Sequence, residues 1–394
     1  MPGTGKTTTI CGLVRLLVKL GQSVLIVAYT NSAVDTILCK LQAAGQPFLR
    51  LGRAERVRSE LRDSTAEVVA RRAGGAGELA ALYRDQQVVA ATCLGVDHAA
   101  TVGRQFDWVV CDEASQALLP SLLAPLLLAA RFLLVGDHAQ LPPTVASSEA
   151  RKAGLDQSLF RLLDSTHPNA TLSLATQYRM NGRITALANH LTYEGLLECG
   201  DSETRCRVLP AGPGGALEPA WLAACLAPAL ERSVILLDTA ATAPEEREAG
   251  GILNRGEART AARLVRGLLD RGLQQQEIGV IAPYSAQVKQ LSRAVAGRWP
   301  GVEVGTVDQF QGRDKTVILY SCTRSGRDLA EGAGLLLLDT RRLNVAVTRA
   351  RAKLVIIGHR SDLLRDYQPF RNIDTFFLSD DIVQLSRADL AELK

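Results

Sequence analysis

Uninterrupted apolar runs recur along the chain, and each ends in a cluster of small, polar or charged residues. Val24-Leu25-Ile26-Val27-Ala28-Tyr29 shows no polar alternation, the pattern of a strand buried on both faces of a parallel sheet. Val88 to Cys93, Phe106 to Cys111 and Arg131 to Val135 repeat it. Stretches with helical spacing lie between these runs, beginning with Thr8 to Leu20, which closes at Gly21. In the second half strands are predicted near Leu172 and at Ser233 to Leu237, Ile278 to Ala282, Thr316 to Ser321 and Leu354 to Gly358. Helices are predicted at about Glu257 to Leu269, Ser285 to Ala296 and Arg342 to Ala350. Such alternation predicts an α/β fold of two parallel sheets with helices on both faces.

At 394 residues the chain is long enough for two domains. The linker-like Asp164 to Ala170 divides them into residues 1–165 and 166–394. Residues 50–87 break the first domain's rhythm. Arg50, Arg53, Arg56, Arg58, Arg62, Arg71 and Arg72 outnumber the acids Glu55, Glu60, Asp63 and Glu67, and Gly74 to Gly77 marks a flexible turn. A helical insertion is predicted there, either a solvated face or a basic surface that tracks a phosphodiester backbone. Residues 199–219 are dense in Gly and Pro, which predicts a surface excursion.

The polar strand ends carry the chemistry. Gly3-Thr4-Gly5-Lys6-Thr7-Thr8 supplies the second half of a phosphate-binding loop, with Gly-Lys-Thr opening a helix. Gly3 to Thr8 would cradle the phosphates of ATP. Lys6 would reach the β- and γ-phosphates, and the Thr7 hydroxyl would ligate Mg²⁺. The pattern's first glycine, and the strand that delivers the loop, would fall before Met1. A piece of a longer polypeptide, or an incomplete gene model, is therefore expected. The strand ending Val110-Cys111-Asp112-Glu113 is the second signature: Asp112 would hold Mg²⁺ and Glu113 would act as general base. After the next strand, Gln140 is placed to sense the γ-phosphate and two prolines stiffen the loop. His138 reads as structural. Thr30-Asn31-Ser32 at a strand's carboxyl end would touch a ligand, cap the next helix, or both. The second half has no phosphate loop but holds Arg179 and Arg349, candidates for arginine fingers.

Composition narrows this little. A net charge of +4 permits a polyanionic partner without demanding one. Eight cysteines form no Cys-x-x-Cys, and most sit in apolar runs like buried free thiols. The longest apolar run, Ala117 to Leu128, is too short to cross a bilayer and is interrupted by Pro120 and Pro125. No secretory signal precedes the phosphate loop, and no membrane partner is expected.

Taken in order, the motifs resemble superfamily 1 helicases of the 5′-to-3′ branch: Pro2 to Thr9, Tyr29 to Asp35, Val110 to Ser115, Gly136 to Pro143, Gln177 to Met180, Ile281 to Gln287, Gly305 to Lys315 and Asn344 to Arg351. Details such as Thr-Asn-Ser-Ala-Val-Asp, Leu191 to Gly195 followed by Glu198-Cys199-Gly200, and Asp308 to Lys315 look most like the helicase half of the helicase/nucleases of DNA replication. The resemblance implies two tandem RecA-like P-loop domains and an ATPase centre of Lys6, Thr7, Asp112, Glu113, Gln140, Arg179 and Arg349. Tyr178 would lie near the adenine and Asp314 near the ribose, where the family usually has Glu. Thr30, Asn31, Ser32, Thr92, Pro142, Tyr284, Thr306 and Asp308 would line a groove for single-stranded DNA. Single-strand-binding and replication or repair proteins, and a nuclear and mitochondrial location, follow from the same resemblance. The family's iron–sulfur cluster belongs to a nuclease portion that this chain does not contain. An RNA helicase of the same branch, and a truncated nucleotide-binding module without turnover, stand as alternatives.

Overall fold

The inner apolar runs of this protein become buried strands, whereas Arg131 to Val135, expected to be buried on both faces, lies in an edge strand with Phe132 49% exposed. A computed structural model describes residues 1–212, 219–242, 244–248, 251–325, 335–386 and 388–389. Two units separate, Met1 with Gly5–Leu174, and Ala175–Lys394 with Pro2–Thr4.

In the first unit β1 (Val24–Ala28), β2 (Leu49–Arg50), β3 (Val88–Thr92), β4 (Phe106–Asp112) and β5 (Ala129–Leu134) form a parallel sheet in the order β2-β3-β1-β4-β5. The helices are α1 (Lys6–Lys19), α2 (Asn31–Ala43), α3 (Ala66–Arg72), α4 (Ala76–Asp85), α5 (Leu119–Leu127), α6 (Ser148–Lys152) and α7 (Leu159–Thr166). Central β1 is wholly buried and feeds two cores by alternation. Val24, Ile26 and Ala28 pack with Ile10 and Val14 of α1 and Ile37 and Leu41 of α2. Leu25 and Val27 pack with Tyr83 of α4 and Leu122 of α5. Burial of such side chains contributes roughly 1.5–3 kcal/mol each. Ala28 pairs with both Thr92 and Asp112, so the polar ends of β3, β1 and β4 emerge level along one edge.

The expected insertion is present as three-ten turns followed by α3 and α4, and α4 already begins within the predicted glycine turn, at Ala76. One arginine departs from both readings of its basic face. Arg50 lies in β2 with no exposed surface and pairs with Asp35 of α2 at 3.0 Å.

The second unit holds a short parallel pair, β6 (Thr176–Gln177) with β7 (Glu198–Cys199), and an antiparallel pair, β9 (Glu246–Glu248) with β10 (Gly251–Leu253). Its main sheet joins β8 (Val234–Asp238), β11 (Ile278–Ala282), β12 (Glu303–Thr306), β13 (Lys315–Ser321), β14 (Ala350–Gly358) and β15 (Ile382–Gln384). The order is β12-β11-β13-β14-β8-β15, all parallel. Its helices include α8 (Gly182–Ala188), α9 (Ser202–Arg205), α10 (Ala220–Cys225), α11 (Arg255–Asp270), α12 (Ser285–Leu291), α13 (Leu335–Leu338) and α14 (Thr340–Val347). Leu264, Val265 and Leu268 of α11 and Leu291 of α12 seal one face over Ile235, Val280, Leu319 and Ile357.

The α/β class with parallel sheets is as the pattern predicts, with local differences. Leu172 is 88% exposed and forms no strand; the chain enters its next strand at Thr176. Asp164 to Thr166 close α7, and Pro168–Ala170 is a three-ten turn. The predicted helix Ser285 to Ala296 is α-helical to Leu291 and then makes a π turn over Ser292–Ala296. β12 and β15 were not legible as apolar runs because they are the sheet's two edge strands, which need not be buried on all sides. Part of the Gly/Pro-rich excursion, 213–218, lies outside the described residues.

A carboxyl group is folded into this second core. Glu257 of α11 is fully buried; Oε2 accepts the Ser321 hydroxyl at 2.6 Å and the Thr323 N–H at 2.8 Å, while Oε1 has no hydrogen-bond partner among the described residues. Burial pushes its pKa from an ordinary 4.5 up to about 8. Between those values the folded protein holds a proton that the unfolded chain has released, so stability falls as pH rises across that window. Melting curves from pH 5 to 9 are expected to show the wild type losing about 5 °C more than Glu257→Gln, whose amide has no proton to lose. Parallel curves for the two would refute the assignment.

Candidate functional site

The site is built at the carboxyl edge of the first sheet. Gly5 takes φ 80°, a conformation open cheaply only to glycine, and α1 starts immediately after it. Its carbonyl accepts the Thr9 N–H at 2.9 Å, the first turn of the helix. The N–H groups of Lys6, Thr7 and Thr8 in that turn have no helical acceptor, and the positive end of the helix dipole reinforces them as an anion site. Lys6 Nζ donates to the Met1 carbonyl at 2.9 Å, and exposed Thr8 accepts from Lys40 Nζ at 2.9 Å. Thr7 is half-buried beside them. Thr4 is buried, and Gly3 belongs with the second unit. There Gly3 takes φ 72°, its carbonyl accepts the Tyr178 N–H at 3.0 Å, and a Cβ on it would lie 2.8 Å from Arg179 Cβ.

Asp112, the last residue of β4, is only 5% exposed and accepts the Glu113 N–H at 2.9 Å. Burial first, and then the charge of Glu113, push the Asp112 carboxyl up to about 7, while the charge of Lys6 pulls it down. The charge of Lys6 therefore acts on Asp112 within one unit. Glu113 itself sits at φ 52°, strained for a side-chain-bearing residue, and its Oε2 accepts Gln116 Nε2 at 2.9 Å. The loop after β5 is fitted against this strand end. A Cβ at Gly136 would approach the Ser115 nitrogen to 3.0 Å. Buried Gln140 donates through Nε2 to Asp137 Oδ2 at 2.7 Å. His138, read as structural, stands 3.3 Å from Asp164.

The remaining expected positions of the first unit share that edge. Thr30 is exposed and caps α2 by accepting the Ala33 N–H at 3.2 Å; Ser32 is exposed, and Asn31, Thr92 and Pro142 are half-buried.

In the second unit Gln177 is fully buried and folds the turn that follows it. Its Oε1 accepts the N–H groups of Arg179 and Met180, both at 2.8 Å. Tyr178 is 56% exposed, and its ring lies so close to Gly200 that a Cβ there would be 2.2 Å from it. Arg179 donates to the Thr348 carbonyl at 3.2 Å and lies 3.8 Å from Asp314, which also pairs with Arg351. Arg349, expected to project as a finger, is instead 1% exposed. Its donors go to the carbonyls of Val345 at 3.0 Å and Arg313 at 3.4 Å and to the Thr348 hydroxyl at 3.0 Å. Tyr284, expected to line a groove, is buried; its hydroxyl has no hydrogen-bond partner among the described residues, and burial pushes its pKa up. Thr306 is half-buried and exchanges hydrogen bonds with Gln309, while exposed Asp308 pairs with Arg342.

Sequence reasoning missed Arg50 and Glu257. A signal existed for the first. Asp35 falls on the apolar stripe of α2 with Val34, Leu38 and Leu41, and a carboxylate on a buried face requires a cation.

Two family models, each described as AAA domain, match this chain, one over residues 155–361, more than half of it, and the other over residues 1–76 and 76–148. The DNA replication ATP-dependent helicase/nuclease of Bos taurus is 43% identical over 97% of this chain and 37% of its own length. The Mus musculus protein of that name is 44% identical over 93% of this chain and 35% of its own. These are the helicase/nucleases that the motifs resemble, and the chain spans about a third of their length. Among solved structures, Arterivirus nonstructural protein 10 (helicase) is 16% identical, with a TM-score of 0.47 over 93% of this chain and 60% of that one. With more than half of its residues matched by one model, the chain belongs to the AAA domain family.

Proposed function

We propose that this chain is the ATP-hydrolysing motor portion of a DNA replication and repair helicase/nuclease, translocating 5′ to 3′ on single-stranded DNA. The observation that carries the reading is one unit that holds Lys6 at the head of α1 and buried Asp112 at the end of β4 with Glu113 beside it, where the Lys6 charge acts on the Asp112 carboxyl. A triphosphate on the helix terminus brings negative charge to Lys6. A divalent cation relieves the desolvated Asp112 carboxylate, which fits it as a ligand. No cluster of three or more His, Cys, Asp or Glu that could hold a metal occurs among the described residues. Mg²⁺ would therefore take Asp112 and Thr7, with phosphate oxygens and water completing its shell. When bound, that ion neutralises phosphoryl charge; Glu113 takes the proton of the attacking water and Gln140 orients the γ-phosphate.

In this reading the two RecA-like domains are residues 1–165 and 166–394. Tyr178 stacks on adenine, Asp314 serves the ribose, and Arg179 and Arg349 supply positive charge to the transition state. Arg349 acts only after releasing its carbonyl partners. Thr30, Asn31, Ser32, Thr92, Pro142, Thr306 and Asp308 contact the strand, and Tyr284 supports them from beneath. The named relatives are replication enzymes, which supports a nuclear site of action, with mitochondria and single-strand-binding and repair proteins following from the same resemblance. No helix among the described residues is long and apolar enough to cross a membrane.

Steady-state ATPase with and without oligo-dT tests the motor. Single-stranded DNA is expected to stimulate hydrolysis more than a matched RNA, and Glu113→Gln to lower kcat at least about 100-fold while nucleotide still binds. Equal rates with and without DNA, or full activity in the variant, would refute it. Gly200→Ala tests Tyr178 separately. The added methyl must displace the ring, and the lost stacking is expected to raise KM for ATP about fivefold or more with little change in kcat. An unchanged KM would remove Tyr178 from the adenine site.

A further inference from the structure

The buried Arg50 fixes which face of Asn31 is offered outward. Its Nε donates to Asp35 Oδ1 at 3.0 Å, Nη1 to the Leu51 carbonyl, and Nη2 to Asn31 Oδ1 at 2.7 Å. Asp35 is satisfied on its other oxygen by the Arg58 N–H at 3.0 Å. This cluster staples β2, the start of the insertion and the first turn of α2 together. A guanidinium has donors only, so the Asn31 atom facing it must be the oxygen. The amide NH₂ then points the other way, and among the described residues no hydrogen bond involving Asn31 Nδ2 occurs. Asn31 is half-buried at the sheet edge, one residue after the exposed Thr30 cap.

We propose that Arg50 is a positioning residue that locks Asn31 as a pure hydrogen-bond donor toward oxygen acceptors of the nucleic-acid strand, either phosphate oxygens or base carbonyls. The proposal rests on the single-strand reading above and adds to it a polarity and a cause. An unlocked Asn31 would rotate freely and present oxygen to the strand half of the time. A locked one presents two N–H groups, complementary to acceptors that every nucleotide carries, which suits binding without sequence preference. β2 thereby acts on the strand from underneath, through its last residue.

The experiment uses the whole protein and reads the DNA concentration for half-maximal ATPase stimulation, separately from kcat and from melting temperature. Asn31→Asp keeps an acceptor for Arg50 but removes both outward donors and adds a like charge. It is expected to raise that concentration about tenfold with the melting temperature preserved. Arg50→Lys cannot reach Asp35, Leu51 and Asn31 together and is expected to raise it about fivefold, while also lowering the melting temperature. In an Asn31→Ala background, Arg50→Lys should still lower the melting temperature but raise the DNA requirement no further, because the side chain it positions is gone. Oligo-dT compared with an abasic oligomer of equal length separates the two acceptors: a defect on both assigns phosphate, a defect on oligo-dT alone assigns the bases. An Asn31→Asp protein with unchanged DNA requirement, or additive effects in the double variant, would overturn the proposal. Failure of the wild type to respond to DNA at all would instead remove the reading beneath it.

Discussion

Two adjacent carboxylates at the end of one buried strand set the terms for the first unit. Asp112 is out of water and next to another acid, and both conditions oppose its charge. Folding alone gives no reason to place them there, and Glu113 adds backbone strain at φ 52°. What makes the arrangement tolerable is the surrounding geometry. Lys6 supplies opposite charge, the Glu113 N–H is turned onto Asp112, and Gly136 allows the next loop to close over Ser115 without a clash. In the proposed function that cost, held in one unit, would become an affinity for cation and phosphate.

The same edge explains why so much of the fold and the site was legible. β1, β3 and β4 are inner strands of a parallel sheet, so they must be apolar on both faces and read as runs, and their ligand-facing groups must sit where each run stops. Asp112-Glu113 was visible for that reason, and the phosphate loop was visible from Gly-Lys-Thr opening α1. β12 and β15 were not, since an edge strand such as Glu303-Val304-Gly305-Thr306 carries no such burden. Arg50 was hidden differently. Among seven arginines in a polar stretch, only its contact with Asp35, fifteen residues earlier, distinguishes it from a solvated neighbour. Tyr284 and Arg349 were named for chemistry, yet both are buried, because local sequence says which groups a loop owns and not how deeply tertiary packing seats them.

Buried ionisable groups recur beneath loops in each unit, and they do different work in each place. Arg50 lies under Asn31, and Glu257 lies under Thr323, whose φ of 74° is held in part by the N–H it gives to that carboxyl. Lys353, also buried, caps the carbonyls of Ala227 and Arg232; burial lowers its pKa to about 7. Neither an ion pair taken from water nor a lone buried ionisable group is a strong source of stability, since desolvation offsets most of the attraction. What such groups do provide is direction. A guanidinium accepts nothing, and the Glu257 oxygen that takes both the Ser321 hydroxyl and the Thr323 N–H fixes those two donors, so each group constrains the polar groups around it. An apolar core of equal volume would hold α2 against β2 as firmly and leave Asn31 free to turn. In the proposed reading, the difference between those two cores is how loops at the sheet edges would meet a polyanion, and it is carried by residues that would not touch one.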